Sequence, residues 1–314
     1  MKRALVLLVM AFLGAIAGGC LYLFALRPNT RAATGLHIEA TPERLARGEY
    51  LVNNVVVCFA CHTEKDTSKR AHPKIGPEGA GGECFTEEMG FPGHVCAPNI
   101  TPDAETGIGA WSDDEVLRAI REGVDNHGEV LFPMMPYTTY RSLPDEDAYA
   151  IVAYIRSIPA QRNAMAPNTV NFPVSMFIRM APQPVTEPVG PVAQDDLVQY
   201  GEHMVTISGC KLCHLDDLAG GEEFPMPQGV VRSANLTPGA KGIVPDNADD
   251  FIRIFHAYQG GELPQGVTDK DHTVMPWSVY SGMADDDLRA IHAYLRSLPP
   301  VEKQIQTYGE SKAD

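Results

Sequence analysis

Basic side chains are in short supply: 25 lysines and arginines stand against 40 aspartates and glutamates, a formal net charge of -15. That deficit excludes nucleic acid as a partner, because holding a phosphate backbone requires clustered cations. An acidic surface suits a basic or neutral protein instead, or serves solubility alone. Charge of either sign is missing altogether from Ala4 to Leu26, 23 residues preceded by Met1-Lys2-Arg3. A run of that length spans the hydrocarbon core of a bilayer and exceeds the roughly 7–15 apolar residues of a secretory signal. It reads as an uncleaved transmembrane helix. The alternative is processing near Ala17-Gly18-Gly19-Cys20, with Cys20 lipidated. Either route tethers the chain to the inner (cytoplasmic) membrane, with Lys2 and Arg3 inside and residues from about 30 onward in the periplasm.

Cysteine is limited to seven residues, and their surroundings exclude two common uses. No further Cys or His stands at the short spacing of a structural zinc site, and no βαβ pattern frames a thioredoxin-like dithiol. Two groups are present in place of these. Cys58-Phe59-Ala60-Cys61-His62 and Cys210-Lys211-Leu212-Cys213-His214 both read C-x-x-C-H, the attachment signature of c-type haem. Two thiols one helical turn apart can each form a thioether to a haem vinyl group, and the adjacent imidazole can reach the iron from the same side.

The two motifs belong to an internal repeat, the first feature to seek in a chain of 314 residues, long enough for two units. Gly48-Glu49 precedes the first motif as Gly201-Glu202 precedes the second. Asn99-Ile100-Thr101-Pro102 returns as Asn235-Leu236-Thr237-Pro238, and Met135-Pro136-Tyr137 as Met275-Pro276-Trp277. Ala153-Tyr154 and Ala293-Tyr294 both lie 18 residues beyond the methionine. The expected organisation is a membrane anchor over 1–29, domains over 40–160 and 193–300, a Pro-rich crossover over 161–192 and a tail over 301–314.

Each domain reads as mainly α, three or more short helices. One runs from Thr41 to Val57 and its copy from Gln199 to Ile207. A middle helix starts at Ser112 with Glu115 completing a capping box, and a closing helix runs from Pro144 to before Pro159. Helices this short cannot enclose a large cavity alone, which makes the porphyrin the centre of each core. Pro159 to Pro191 holds seven prolines in 33 residues, too many for regular structure; its apolar middle, Phe172 to Met180, is expected to pack on a domain.

For the second axial ligand, Met135 and Met275 share one register before proline, whereas Met134 does not. Met89, Met165, Met176, Met180, Met204, Met226 and Met283 read as core packing. His94, His127, His256 and His272 could serve a bis-His haem, but none has a counterpart in the other repeat. The expected pairs are His62 with Met135 and His214 with Met275; the thioether favours Fe(II) and raises the potential. Cys84 and Cys96 fit no haem motif. They align with Glu223 and Arg232, and both pairs flank turn-rich segments that read as hairpins. The expectation is a cross-strand disulfide in the first domain, replaced by an ion pair in the second; free thiols or a bond to a partner are the alternatives.

The stretch from Asn99 through Trp111-Ser-Asp-Asp-Glu115, then Arg118-Ala-Ile-Arg-Glu-Gly123 and Met135-Pro-Tyr-Thr-Thr-Tyr140, resembles the cytochrome c subunits of membrane-bound bacterial alcohol, aldehyde and gluconate dehydrogenases. The likeness covers about residues 42 to 300. It implies two tandem class I cytochrome c domains carrying two covalent haems c and their iron. It also implies a periplasmic dehydrogenase as electron donor and quinone, an oxidase or another cytochrome as acceptor in the respiratory chain. Such subunits typically carry three haems, whereas this chain has two motifs. Iron with His and Met on its two faces has no open position, so the role is a carrier and not an enzyme; the alternative is a di-haem peroxidase or a thiosulfate-oxidising enzyme.

Overall fold

The computed structural model describes residues 2–25, 28–69, 72–226, 229–261, 263–268 and 273–309. The first element, α1 (Lys2–Ala25), runs unbroken through Cys20 and is long and apolar enough to cross a membrane. Beyond it, α2 (Pro42–Asn54) leads into α3 (Cys58–Cys61). A hairpin of β1 (Cys84–Phe85) and β2 (Gly93–Cys96) follows, then α4 (Asp113–Glu122), α5 (Tyr137–Tyr140) and α6 (Asp145–Ser157). The crossover holds β3 (Thr169–Val170) and α7 (Val174–Phe177). The same order then returns: α8 (Leu197–Ile207), α9 (Cys210–His214), β4 (Glu223–Met226), β5 (Gly229–Arg232), α10 (Ala248–His256), α11 (Trp277–Tyr280), α12 (Asp285–Ser297) and β6 (Tyr308–Gly309).

Local signals set the helix ends. Thr41 caps α2, its hydroxyl accepting from the Arg44 N–H at 3.3 Å, with Pro42 in the first turn. Ser112 and Glu115 form both halves of the capping box on α4, and Gly123, at φ 73°, stops that helix in a left-handed turn. Three acidic residues open α6 and three open α12, at the positive ends of the helix dipoles.

In each half the helix before the haem motif crosses the closing helix, α2 on α6 and α8 on α12. Glycine is required at both crossings. A Cβ on Gly48 would lie 2.0 Å from the Ala150 carbonyl oxygen, and one on Gly201 would lie 1.9 Å from that of Ala290. The apolar core is continuous from Leu51, Val52 and Ile151 in the first half to Val205, Ile207 and Leu295 in the second.

The hairpins pair in the expected register, Cys84 opposite Cys96 and Glu223 opposite Arg232. Cys84 and Cys96 are joined by a disulfide with their Cα atoms 3.9 Å apart, and Arg232 Nε meets Glu223 Oε1 at 2.7 Å. A non-reduced digest is expected to yield one linked peptide pair; two separate peptides would contradict this. Replacing both cysteines by alanine should cost at most about 3 kcal/mol in thermal unfolding, since the closed loop is short.

Three expectations need correction. The repeat does not end at 160 and 300. Asn99 Nδ2 donates to the carbonyl of Gln161 (2.7 Å) and Asn235 Nδ2 to those of Val301 (2.9 Å) and Lys303 (3.1 Å), while β3 and β6 add a third strand to each hairpin. A buried amide must find acceptors, and the chain just past each closing helix supplies them. The tail over 301–309 and the start of the crossover therefore belong to the folded units. Next, the apolar middle of the crossover does not pack away as a whole: Met176 is buried, but Phe172, Phe177 and Met180 are exposed. Last, Met89 and Met180 are not core packing, being 51% and 52% exposed.

Between the anchor and α2, the chain is strapped to α4. Asp114, fully buried, accepts from Arg31 Nη1 and Nη2 at 2.7 Å each and from the Thr34 N–H and hydroxyl at 2.5 and 2.9 Å; Arg31 Nε also reaches Glu122 at 2.8 Å. Burial pushes the Asp114 pKa up, but Arg31 and Thr34 outweigh it and hold the carboxyl below its ordinary value. A depressed folded-state pKa contributes stability that is complete above the unfolded value, about 3.9, and lost as pH falls through the folded one. Asp114→Asn is expected to cost about 2 kcal/mol at neutral pH. Its deficit should shrink in melts recorded well below pH ~4, and a deficit independent of pH would refute the assignment.

Candidate haem centres

The residue before each motif turns the chain left-handed, Val57 at φ 47° and Gly209 at φ 69°. A β-branched residue resists that conformation, so Val57 is held there by its surroundings. From this turn the motif starts as a single helical turn in which Cys58 and Cys61, or Cys210 and Cys213, stand three residues apart.

Each histidine is fixed by one backbone acceptor. His62 Nδ1 lies 2.7 Å from the Pro98 carbonyl and His214 Nδ1 lies 2.8 Å from that of Ala234, the residues just before Asn99 and Asn235. A carbonyl can only accept, so Nδ1 carries the proton and Nε2 keeps its lone pair for a metal. Burial lowers both pKa values, outweighing the carbonyl contact that raises them; the neutral imidazole, the form able to ligate a metal, is favoured. The Asn99 and Asn235 side chains in turn accept from the N–H and hydroxyl of Thr101 and Thr237 at 2.9 and 2.7 Å, fixing those carbonyls in place.

The thiols are poor nucleophiles in this setting. Burial pushes Cys58 and Cys210 up to about 12, while burial, then Glu83 and to a smaller extent Cys213, push Cys61 up to about 11. Lys65 pulls Cys61 the other way but is outweighed, and these raised values contrast with the lowered thiol pKa of reactive cysteines.

In the second half, Cys210, Cys213, His214 and Met275 line one cavity of about 500 Å³, whose walls include Phe251, Phe255, Leu236, Val231 and Ile291. A wide apolar slot with two thiols and an imidazole on its wall and a thioether among its lining residues fits a haem c. In the first half, Met135 is half-buried against the core, whereas Met134 is 40% exposed. The other candidate ligands are placed elsewhere: His127 is exposed, and His256 binds the Ser281 carbonyl (2.8 Å) and Asp285 (2.7 Å). His94 lies beside the Cys96 sulfur, and His272 falls outside the described residues.

Two features escaped the sequence reading. The Tyr140 hydroxyl donates to the Val56 carbonyl, and Tyr280 does so to that of Ser208 at 2.5 Å, tying the Met-Pro segment to the chain two residues before the first Cys. The signal was present in the repeated Met-Pro-x-x-x-Tyr spacing. The other feature is the junction between halves. Tyr50 of α2 donates to Asp287 of α12 at 2.5 Å, Asp287 also accepts from Tyr200 at 2.8 Å, and the Ala284 N–H donates to the Tyr50 hydroxyl at 3.0 Å. Helix α11 packs on α2 and α5 on α8, which sets the two motifs side by side.

Residues 45–159 match the family model for cytochrome c, so the chain contains a cytochrome c domain. Most of its length is also similar to cytochrome subunits of dehydrogenases. It is 29% identical over 286 residues to the gluconate 2-dehydrogenase cytochrome c subunit of Pantoea cypripedii, covering 83% of this chain and 60% of that protein. It is 30% identical over 281 residues to the alcohol dehydrogenase (quinone) cytochrome c subunit of Gluconacetobacter polyoxogenes, covering 80% and 55%. A diheme cytochrome c-type protein of Cereibacter sphaeroides is 27% identical over 269 residues, covering 78% and 83%. The chain thus spans six-tenths or less of the two dehydrogenase subunits.

Proposed function

We propose that this chain is a membrane-anchored di-haem electron carrier. Its two tandem cytochrome c domains stand in the periplasm and relay electrons from a dehydrogenase to the respiratory chain. Cys58 and Cys61 hold one haem c and Cys210 and Cys213 the other, with His62 and Met135, and His214 and Met275, as the axial pairs. Each haem supplies a reversible one-electron iron couple. The observation that supports this best is the cavity that gathers Cys210, Cys213, His214 and Met275, together with the repeat of its histidine tether in the first half.

The chain's own residues keep such a centre a carrier. The carbonyl tethers hold the imidazoles in orientation, the Tyr140 and Tyr280 clamps hold the methionine segments closed, and the buried walls exclude water. The dehydrogenase partner rests on the relatives' names and on the acidic surface; the acceptor is quinone, an oxidase or another cytochrome.

The detergent-purified protein tests this. Two covalent haems per chain, both low-spin with the far-red absorption of Met-ligated ferric haem, are expected, together with a co-purifying dehydrogenase. One haem per chain would overturn the di-haem assignment, and a high-spin haem that turns over peroxide would overturn the carrier reading in favour of a peroxidase.

A further inference from the structure

Exposed apolar side chains lie on and on either side of α7, the crossover helix that meets α1. Phe172 is 66% exposed, Phe177 49% and Met180 52%, although their neighbour Met176 is buried. The segment is anchored at its base, where the Asn171 N–H donates to the Pro92 carbonyl at 2.7 Å and Asn171 Nδ2 to Glu87 at 2.5 Å. That second bond also ties it to the three-residue turn Glu87–Met89, whose Met89 is 51% exposed.

Helix α7 packs against α1. Among the described side chains from 2 to 22, Cys20 alone is partly covered and all others are exposed, so the meeting point is at the end of α1 nearer the haem domains. At 1.5 Å per residue, Cys20 lies about 27 Å along the helix from Lys2, close to the far edge of a hydrocarbon core about 30 Å thick. The crossover therefore sits at the level where the anchor leaves the lipid. Arg179, between Phe177 and Met180, has no hydrogen bond or ion pair among the described residues, and its Nε is buried. A basic head on an apolar stem, flanked by aromatic and thioether side chains, matches the chemistry of the headgroup region.

We propose that Phe172, Phe177 and Met180 insert into the outer lipid interface beside α1, with Arg179 reaching lipid phosphates, and that this contact sets the orientation of the haem domains on the membrane. The proposal rests on α1 being a membrane anchor. The continuity of the patch with that helix is what assigns it to lipid and not to a protein partner.

The test uses the full-length, haem-loaded chain in phosphatidylcholine/phosphatidylglycerol nanodiscs, with p-benzoylphenylalanine placed singly as Phe177→p-benzoylphenylalanine, Leu13→p-benzoylphenylalanine or Asp286→p-benzoylphenylalanine. After irradiation, intact-mass analysis should find lipid adducts at 177 in a yield comparable to that at 13, and none above background at 286. An unchanged haem spectrum checks folding of each variant, and Met180→p-benzoylphenylalanine repeats the measurement at a second position of the patch. Adducts at 13 but not at 177 or 180 would overturn the proposal while leaving the anchor intact and the patch open to a protein. No adducts at 13 would instead overturn the anchor reading on which it rests.

Discussion

Replacing Met275 by alanine is expected, on the proposed di-haem assignment with Met275 as an axial ligand, to lower the midpoint potential of one haem by a few tenths of a volt, a substantial part of the ~0.8 V range that ligand and surroundings cover. The same change should open that iron to carbon monoxide while the other haem keeps its spectrum. The direction follows from the ligand: a thioether favours Fe(II), so its loss favours Fe(III). Met135→Ala should do the same to the first haem. Its neighbour Met134 is the control, being 40% exposed and out of register with Met275. Redox titration followed by CO difference spectra decides the matter: if Met134→Ala has this effect and Met135→Ala does not, the axial assignment in the first domain is wrong.

The second large effect concerns packing. Gly48→Ala and Gly201→Ala each place a methyl group about 2 Å from a carbonyl oxygen of the crossing helix, Ala150 or Ala290, and backbone cannot yield as the end of a side chain can. Overpacking a core costs about 1–3 kcal/mol when side chains can shift. Here the whole helix must move, so the expected loss exceeds about 3 kcal/mol, enough to prevent haem retention in the affected domain. Gly35→Ala, with nothing within 4 Å of the added Cβ, should leave the melt unchanged. Stable, fully loaded Gly48→Ala protein would show that the crossing is looser than described.

The paired hairpins show how far a repeat can be read. Alignment alone placed Cys84 opposite Cys96 and Glu223 opposite Arg232, because both pairs stand at the same distance from the flanking Gly-Gly and Asn landmarks, although the turns between them differ in length. Alignment did not show that the strands continue into a third, since β3 and β6 are two-residue segments without a periodic pattern of their own. Nor did it show that Arg121 of the first half, bound to Asp145 at 2.7 Å, is matched in the second by His256 bound to Asp285 at 2.7 Å. The two side chains share a place in the fold but little chemistry, and only the contact reveals the equivalence.

The sequence by itself determined the covalent and local terms. These are the two C-x-x-C-H motifs, the two Met-Pro pairs, the caps of α2 and α4, and an uncharged run long enough to cross a bilayer. All are written in contiguous residues, where chain geometry alone sets what can meet. Only the tertiary structure decided the rest. The carbonyls that orient His62 and His214, the tyrosine clamps and the Tyr50–Asp287–Tyr200 junction join residues from 20 to 237 positions apart. Such pairings follow from which faces remain to be buried once the local elements exist, and no single segment of the chain carries that information.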